Sequence, residues 1–173
     1  NIDDLSGMTP ELSLAAFFEG ETIAYGIFED RFGNLKRRFK VNISGVVAGD
    51  TLTLDEDFRY ADGEQAQRVW TITKTGTDED GRMMYEGRAE DVDGLAAGRV
   101  VGNGLNWAYD IDLMTDDGSL RVHFDDWIYQ MDEHVALNRA YVSKFGVEIG
   151  SVTLVFLRGE AAQTIGPLDL MSW

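Results

Sequence analysis

The sequence predicts an all-β domain, an antiparallel up-and-down meander barrel of about ten strands with a short helix at its N-terminus. Three observations carry the prediction. Apolar and polar residues alternate with a period of two along most of the chain. Turn-forming pairs recur at short intervals. The spacing between those turns leaves no room for the crossover helices that parallel strands require, so neighbouring strands must be antiparallel and mostly adjacent in order.

The helix signal lies at residues 9–19. Thr9 is a good N-cap, Pro10 suits the first helical position, and Glu11 complements the helix dipole. Leu12, Ala15 and Ala16 follow at roughly helical spacing, and Gly20 ends the segment. The period then switches to two. Leu105, Trp107, Tyr109, Ile111 and Leu113 alternate with Asn106, Ala108, Asp110 and Asp112. Phe39, Val41, Ile43 and Val47 alternate with Arg38, Lys40, Asn42 and Ser44, and Leu52, Leu54, Phe58 and Tyr60 repeat the pattern. Turns are marked by Gly33-Asn34, Gly49-Asp50, Asp62-Gly63, Asp80-Gly81, Asn103-Gly104, Asp117-Gly118 and Asp132-Glu133. The resulting strands are 21–30, 35–47, 50–60, 65–75, 82–91, 95–102, 104–115, 119–131, 134–144 and 148–158. A meander of this length with one apolar face closes on itself and so removes its edges. The whole chain, 1–173, reads as a single domain, with 159–173 as a tail whose Leu168, Leu170, Met171 and Trp173 are expected to pack back on the barrel.

Composition narrows the function classes. The 173 residues suffice for one domain with a real core. There are 31 acidic and 15 basic side chains, a net charge of −16, which repels phosphate backbones and argues against a nucleic-acid partner. There is no cysteine, hence no disulfide and no thiol chemistry. The long apolar stretches are strand-like rather than membrane-spanning helices. A chain beginning at Asn1 rather than Met is what removal of an upstream signal peptide or lipid-anchor segment would leave.

The strand faces place a few unusual residues inside. Gly26, Gly45, Gly87 and Ala89 are small inward residues, where a barrel bends, where something approaches closely, or where a cavity opens. Taking Asp132-Glu133 as a two-residue hairpin loop sets Met131 opposite His134, Ile128 opposite Leu137, Phe124 opposite Tyr141 and Asp126 opposite Arg139. An interior Asp126–Arg139 pair is therefore expected, since a buried charge needs a partner. Glu56 falls likewise among Leu52, Leu54, Phe58 and Tyr60, with Arg68 within reach if the loop is Asp62-Gly63-Glu64. Such pairs either fix the register or anchor the polar end of a ligand in an apolar pocket. Trp70, Trp107 and Tyr109 should face inward, to fill space or to line that pocket.

Other chemistry fails on spacing. His123 and His134 are too far apart for a helical metal pair and have no cysteine to help them, so no metal and no cofactor is expected. His123, Asp125, Trp127 and Tyr129 share the more polar face. Asp125 and Asp126 are adjacent on a strand and point to opposite faces, so they cannot act as an acid–base pair. A calcium loop at Asp78 and Asp80 would need ligands where Gly76 and Gly87 stand. Gly102-Asn103-Gly104 has no helix to receive a phosphate. Asn42-Ile43-Ser44 matches a glycosylation sequon by pattern, but within a strand.

A set of blocks resembles a family of bacterial proteins catalogued as domain of unknown function 3833. They are Thr9-Pro10-Glu11-Leu12 with Phe17-Phe18, Gly26 followed by Glu29-Asp30-Arg31, Arg37-Arg38-Phe39, Glu56-Asp57-Phe58 and Arg68-Val69-Trp70. Then come Gly102-Asn103-Gly104-Leu105-Asn106-Trp107, Phe124-Asp125-Asp126-Trp127-Ile128-Tyr129, Asn138-Arg139 and Ser143-Lys144-Phe145-Gly146. They span residues 9 to 158 in order. The resemblance implies an envelope lipoprotein, with a signal peptide and a lipid-modified cysteine upstream of this domain. It also implies a genetic neighbourhood of fatty-acid-modifying enzymes, which points toward lipids. It supplies no catalytic residue.

The expectation that combines these readings is a lipocalin-like (calycin) barrel on the periplasmic face of the bacterial envelope, lipid-anchored at the outer membrane. It would bind a hydrophobic small molecule such as a fatty acyl chain. Glu56, Arg68, Trp70, Trp107, Tyr109, Asp126 and Arg139 would form the ligand site, with Arg68 and Arg139 meeting a carboxylate head group. Two alternatives stand beside it. One is a barrel enzyme of isomerase or cyclase type with Glu56, Asp126 or His123 as acid or base, which perturbed carboxylates in an open cavity would favour. The other is a structural or interaction module of the envelope, which a filled barrel and an exposed apolar patch near Trp127 or the tail would favour.

Overall fold

The computed structural model describes residues 1–115 and 117–173. Ten strands form a closed antiparallel barrel in which each pairs with its neighbours in sequence and the first pairs with the last. They are β1 Gly20–Asp30, β2 Leu35–Ala48, β3 Thr51–Tyr60, β4 Gln65–Thr77, β5 Met83–Arg88, β6 Val92–Val101, β7 Gly104–Thr115, β8 Gly118–Gln130, β9 Val135–Lys144 and β10 Val147–Arg158. The ten-strand meander expected from alternation and turn pairs is the architecture observed. The largest boundary difference is at β5–β6. There the turn closes with Val92 N donating to Ala89 O, and Gly94, at φ 70°, sits inside β6 where the register shifts.

The N-terminal helix is shorter than expected. α1 covers only Leu14–Phe18, and its N-cap is Ser13, whose Oγ accepts from Ala16 N at 3.2 Å. Thr9 and Pro10, assigned above to the cap and first turn, lie outside it across a cis peptide. The preceding segment is held instead to the barrel rim, with Leu12 N donating to Gly102 O at 2.9 Å, so its backbone is not free to wind. α1 closes one end of the barrel. Leu14, Phe17 and Phe18 are buried, Phe18 meets Phe156 edge-on at 5.1 Å, and Arg158 Nε donates to Phe17 O.

The small inward residues turn out to be sites of close approach. A Cβ on Gly26 would lie 2.4 Å from the Phe39 ring, and one on Gly87 would lie 2.6 Å from the Trp107 ring. Ala89 packs against the core beside the β5–β6 turn. At Gly45 the neighbour is backbone, Phe18 O at 1.8 Å, which no rotamer change can relieve. Gly45→Ala is therefore expected to push α1 off its seat and to lower stability by about 1–3 kcal/mol, read as a reduced midpoint in urea.

The tail, read from sequence without a helix, contains α2 (Gly159–Ile165), which packs on β1 and β10, and then runs back across the outer face of β2. Polar contacts hold it more than burial does. Asn42 bonds Leu168 twice, Nδ2 to O and Oδ1 from N, both at 2.9 Å. Gln65 Nε2 donates to Leu170 O, and Arg38 lies 4.6 Å from the Trp173 ring centre. The sequon asparagine is thus already occupied. Among the described residues no helix is long and apolar enough to cross a membrane.

Candidate functional site

The barrel is hollow. A cavity of about 340 Å³ runs from Leu14 and Phe18 at the α1 end toward the opposite end, where Phe28, Arg37, Tyr60, Leu113 and Ile149 line it. That opposite end carries the β1–β2, β3–β4, β5–β6, β7–β8 and β9–β10 hairpins. Phe32 and Phe145, at two of these hairpin tips, are 75 % and 94 % exposed. The β1–β10 pairing sets the two tips side by side.

One wall of the cavity is aromatic. Trp70, Trp107 and Tyr109 pack with ring centres 4.8 to 5.6 Å apart, and Tyr109 stacks on Phe124 at 5.3 Å. Their places follow from alternation: 107 and 109 share the inner face of β7, and Trp70 faces them from β4. Gly87 leaves the room that Trp107 occupies.

Two carboxyl groups lie within this apolar lining and differ in their partners. Asp126 accepts from three donors: Tyr109 Oη at 2.8 Å and Trp107 Nε1 at 3.2 Å on one oxygen, and Asn138 Nδ2 on the other. Burial pushes its pKa up to about 6, against the downward pull of those three donors. Glu56 lines the same cavity without a hydrogen bond or ion pair among the described residues. Burial pushes it up to about 7, with Arg68 opposing and the charges of Asp126 and Asp91 adding to the rise. Arg68 stands directly across from Glu56 in the β3–β4 register, yet it grips Asp91 through Nε and Nη2, the latter at 2.7 Å. At the mouth, Arg37 binds Asp62 and Glu64 and lies 3.6 Å over the Tyr60 ring.

Six of the seven residues assigned to the site from sequence therefore line one cavity: Glu56, Arg68, Trp70, Trp107, Tyr109 and Asp126. Arg139 does not. The β8–β9 pairing is one residue away from the expected register: Asp126 stands opposite Ala140, and Arg139 opposite Trp127 on the outer face. The connecting loop is wider than two residues. Met131 N donates to Val135 O, and Asp132 Oδ1 accepts from the backbone of both His134 and Val135. A shift of one residue exchanges the two faces of a strand, so Ala140 takes the inward place assigned to Arg139, and Asn138, inward opposite Ile128, reaches Asp126 from the side. Arg139 is exposed, 5.4 Å from the Tyr141 ring centre. His123 also lies outside the cavity, half-exposed and 2.7 Å from Asp110. Asn138, Asp91 and Arg37 were not assigned to the site from sequence. The inward, Ala-rich face of β9 was the available signal for Asn138.

A family model described as "Protein of unknown function (DUF3833)" matches residues 1–158, which takes in the whole barrel. The chain belongs to the DUF3833 family. No curated protein matches it. Among solved structures, this family member is similar to the S-type phycobiliprotein lyase CPES from Guillardia theta, with 9 % identity and a TM-score of 0.57. That likeness covers 86 % of this chain and 94 % of the lyase. It places the DUF3833 barrel among lipocalin-like folds and speaks to fold alone. A de novo designed fluorescence-activating β-barrel aligns more loosely, with a TM-score of 0.44 and 9 % identity over 85 % of this chain and all of the design.

Proposed function

We propose that this DUF3833 barrel binds an apolar small molecule, such as a fatty acyl chain, in its interior. The observation that carries the reading is the cavity: its volume falls in the range of about 300–1,000 Å³ found for ligand pockets, and it is apolar with a few converging polar groups. Following the family resemblance, the protein would work on the periplasmic side of the bacterial envelope, held at the outer membrane by an upstream lipid anchor. The exposed Phe32 and Phe145 beside the mouth suit a ligand that arrives from a lipid surface.

The test is native mass spectrometry of protein purified from a bacterial host, with organic extraction of bound material, paired with titration of an apolar fluorescent probe. Ala140 lines the cavity and is 4 % exposed, so Ala140→Trp fills it. We expect probe affinity to fall about ten-fold or more in that variant, the loss of a few buried methylene contacts being enough. A wild-type protein that is empty and takes up no probe removes the reading.

Acid–base catalysis in the same cavity is a second reading, and one observation favours it. Glu56 is unsaturated by donors and sits near neutrality, where a general acid or base works best. Asp126 is tied to three donors and His123 lies outside, which leaves Glu56 as the candidate for that role.

A further inference from the structure

We propose that the cavity selects a cationic head group, a protonated primary amine on an apolar tail, and that Glu56 is its anchor. The inference rests on the ligand-binding reading above and reverses the head group expected from sequence. That expectation needed Arg139 and Arg68 to be free inside the barrel. Arg139 is outside, and Arg68 is committed to Asp91 through two of its three nitrogens.

The charge around the cavity follows from these pairs. Arg37 is offset by Asp62 and Glu64, and Arg68 by Asp91. Glu56 and Asp126 remain, both acidic. Asp126 has its oxygens occupied by Asn138, Tyr109 and Trp107, so it has little left to offer a ligand. Among the described residues Glu56 has no such partner, and it lines the cavity, so its oxygens can accept hydrogen bonds from a newcomer. An ammonium supplies three donors and the opposite charge, and its pairing with Glu56 removes the cost of an ionised carboxyl in an apolar wall. A carboxylate would meet two guanidinium groups already offset, Arg68 by Asp91 and Arg37 by Asp62 and Glu64, and it would lie against Asp91, Glu56 and Asp126.

Displacement of a bound apolar fluorescent probe by dodecylamine, dodecanol and dodecanoic acid at pH 8 tests the assignment. The amine should compete about ten-fold or more better than the acid, the expected return for a charge-assisted hydrogen bond. In Glu56→Gln that preference should vanish, with the amine falling to the level of the alcohol. A urea midpoint for the variant no lower than that of the wild type shows that it is folded. An acid that competes as well as the amine in the wild type overturns the assignment, as does a preference that survives Glu56→Gln. If the alcohol binds without any preference for the amine, only the head-group assignment falls. If none of the three displaces a bound probe, the head-group assignment falls, and if the wild type takes up no probe at all, the binding reading falls with it.

Discussion

Asp126→Ala should lower the stability of the barrel by about 3 kcal/mol or more, whereas Arg139→Ala should change it by no more than about 0.5 kcal/mol. The asymmetry follows from the faces the two residues occupy. Asp126 is 6 % exposed and is the shared acceptor for Tyr109 Oη, Trp107 Nε1 and Asn138 Nδ2, which reach it from β7 and β9. Each buried donor left without an acceptor costs about 1–3 kcal/mol, and the hydrogen bonds here join three adjacent strands. The neighbouring cavity allows a water to enter and recover part of the loss, which is why the expected total lies nearer 3 than 9 kcal/mol. Arg139 loses only a contact with an exposed tyrosine ring. Urea unfolding of the two variants reads both values from the midpoints at unchanged slope. A large loss in Arg139→Ala with little in Asp126→Ala would mean that β9 is paired one residue away from the register described.

That pair of residues also marks where sequence reasoning stops. Strand number, order and approximate bounds were readable because alternation and turn pairs are local signals, and each strand pairs with its neighbour in the chain. The β8–β9 register was not readable in the same way, because it depends on how Asp132 folds the loop: its side chain caps two backbone N–H groups and adds residues to the turn. Hydropathy reinforced the error. The outer face of β9 carries Leu137 and Tyr141, while the inner face carries Ala136, Asn138 and Ala140. Facing a wall of large rings, the inside needed small residues, so the less hydrophobic face is the buried one.

Helix length failed for a related reason. Thr9-Pro10-Glu11 is a good start signal in isolation, but Leu12 is bonded to the β6–β7 turn, and Ser13 is the first residue free to cap. The Glu56–Arg68 juxtaposition was legible, since cross-strand partners follow from the hairpin. The partner that takes Arg68 was not, because Asp91 comes from a different turn. Nor could alternation show how much room the inward residues leave. Gly26 and Gly87 could mark a bend, a close approach or an opening, and the rings of Phe39 and Trp107 decide for close approach. The cavity lies between the walls rather than at the glycines.

Stability should fall as pH rises from about 4.5 to 7, and Glu56 should account for much of the fall. Its carboxyl is raised in the folded protein to about 7 from an ordinary value of 4.5. The folded state therefore binds more protons than the unfolded state between those two values, and stability decreases with pH across that window. The contribution is fully present below the unfolded value and is gone above the folded one. A shift of this size corresponds to at most about 3 kcal/mol, less to the extent that cavity water screens the group. Asp126 acts in the same direction, with its window ending near 6. The carboxylates of Asp30, Asp62 and Asp112 are lowered instead, Asp30 by Asn34 and both others by their own hydrogen-bond partners. They favour folding above their unfolded values and lose that effect only in more acidic solution, so their window lies below that of Glu56. The net charge of −16 adds a general repulsion that also grows with pH, and a comparison of variants separates it. Urea midpoints at pH 5 and pH 8 should differ markedly in the wild type, and the difference should shrink in Glu56→Gln, which keeps the shape and cannot ionise. An equal pH dependence in both proteins would show that Glu56 is solvated well enough to ionise normally. It would then be a poor anchor for a cation and a poor acid at neutral pH, so one titration bears on both readings of the cavity.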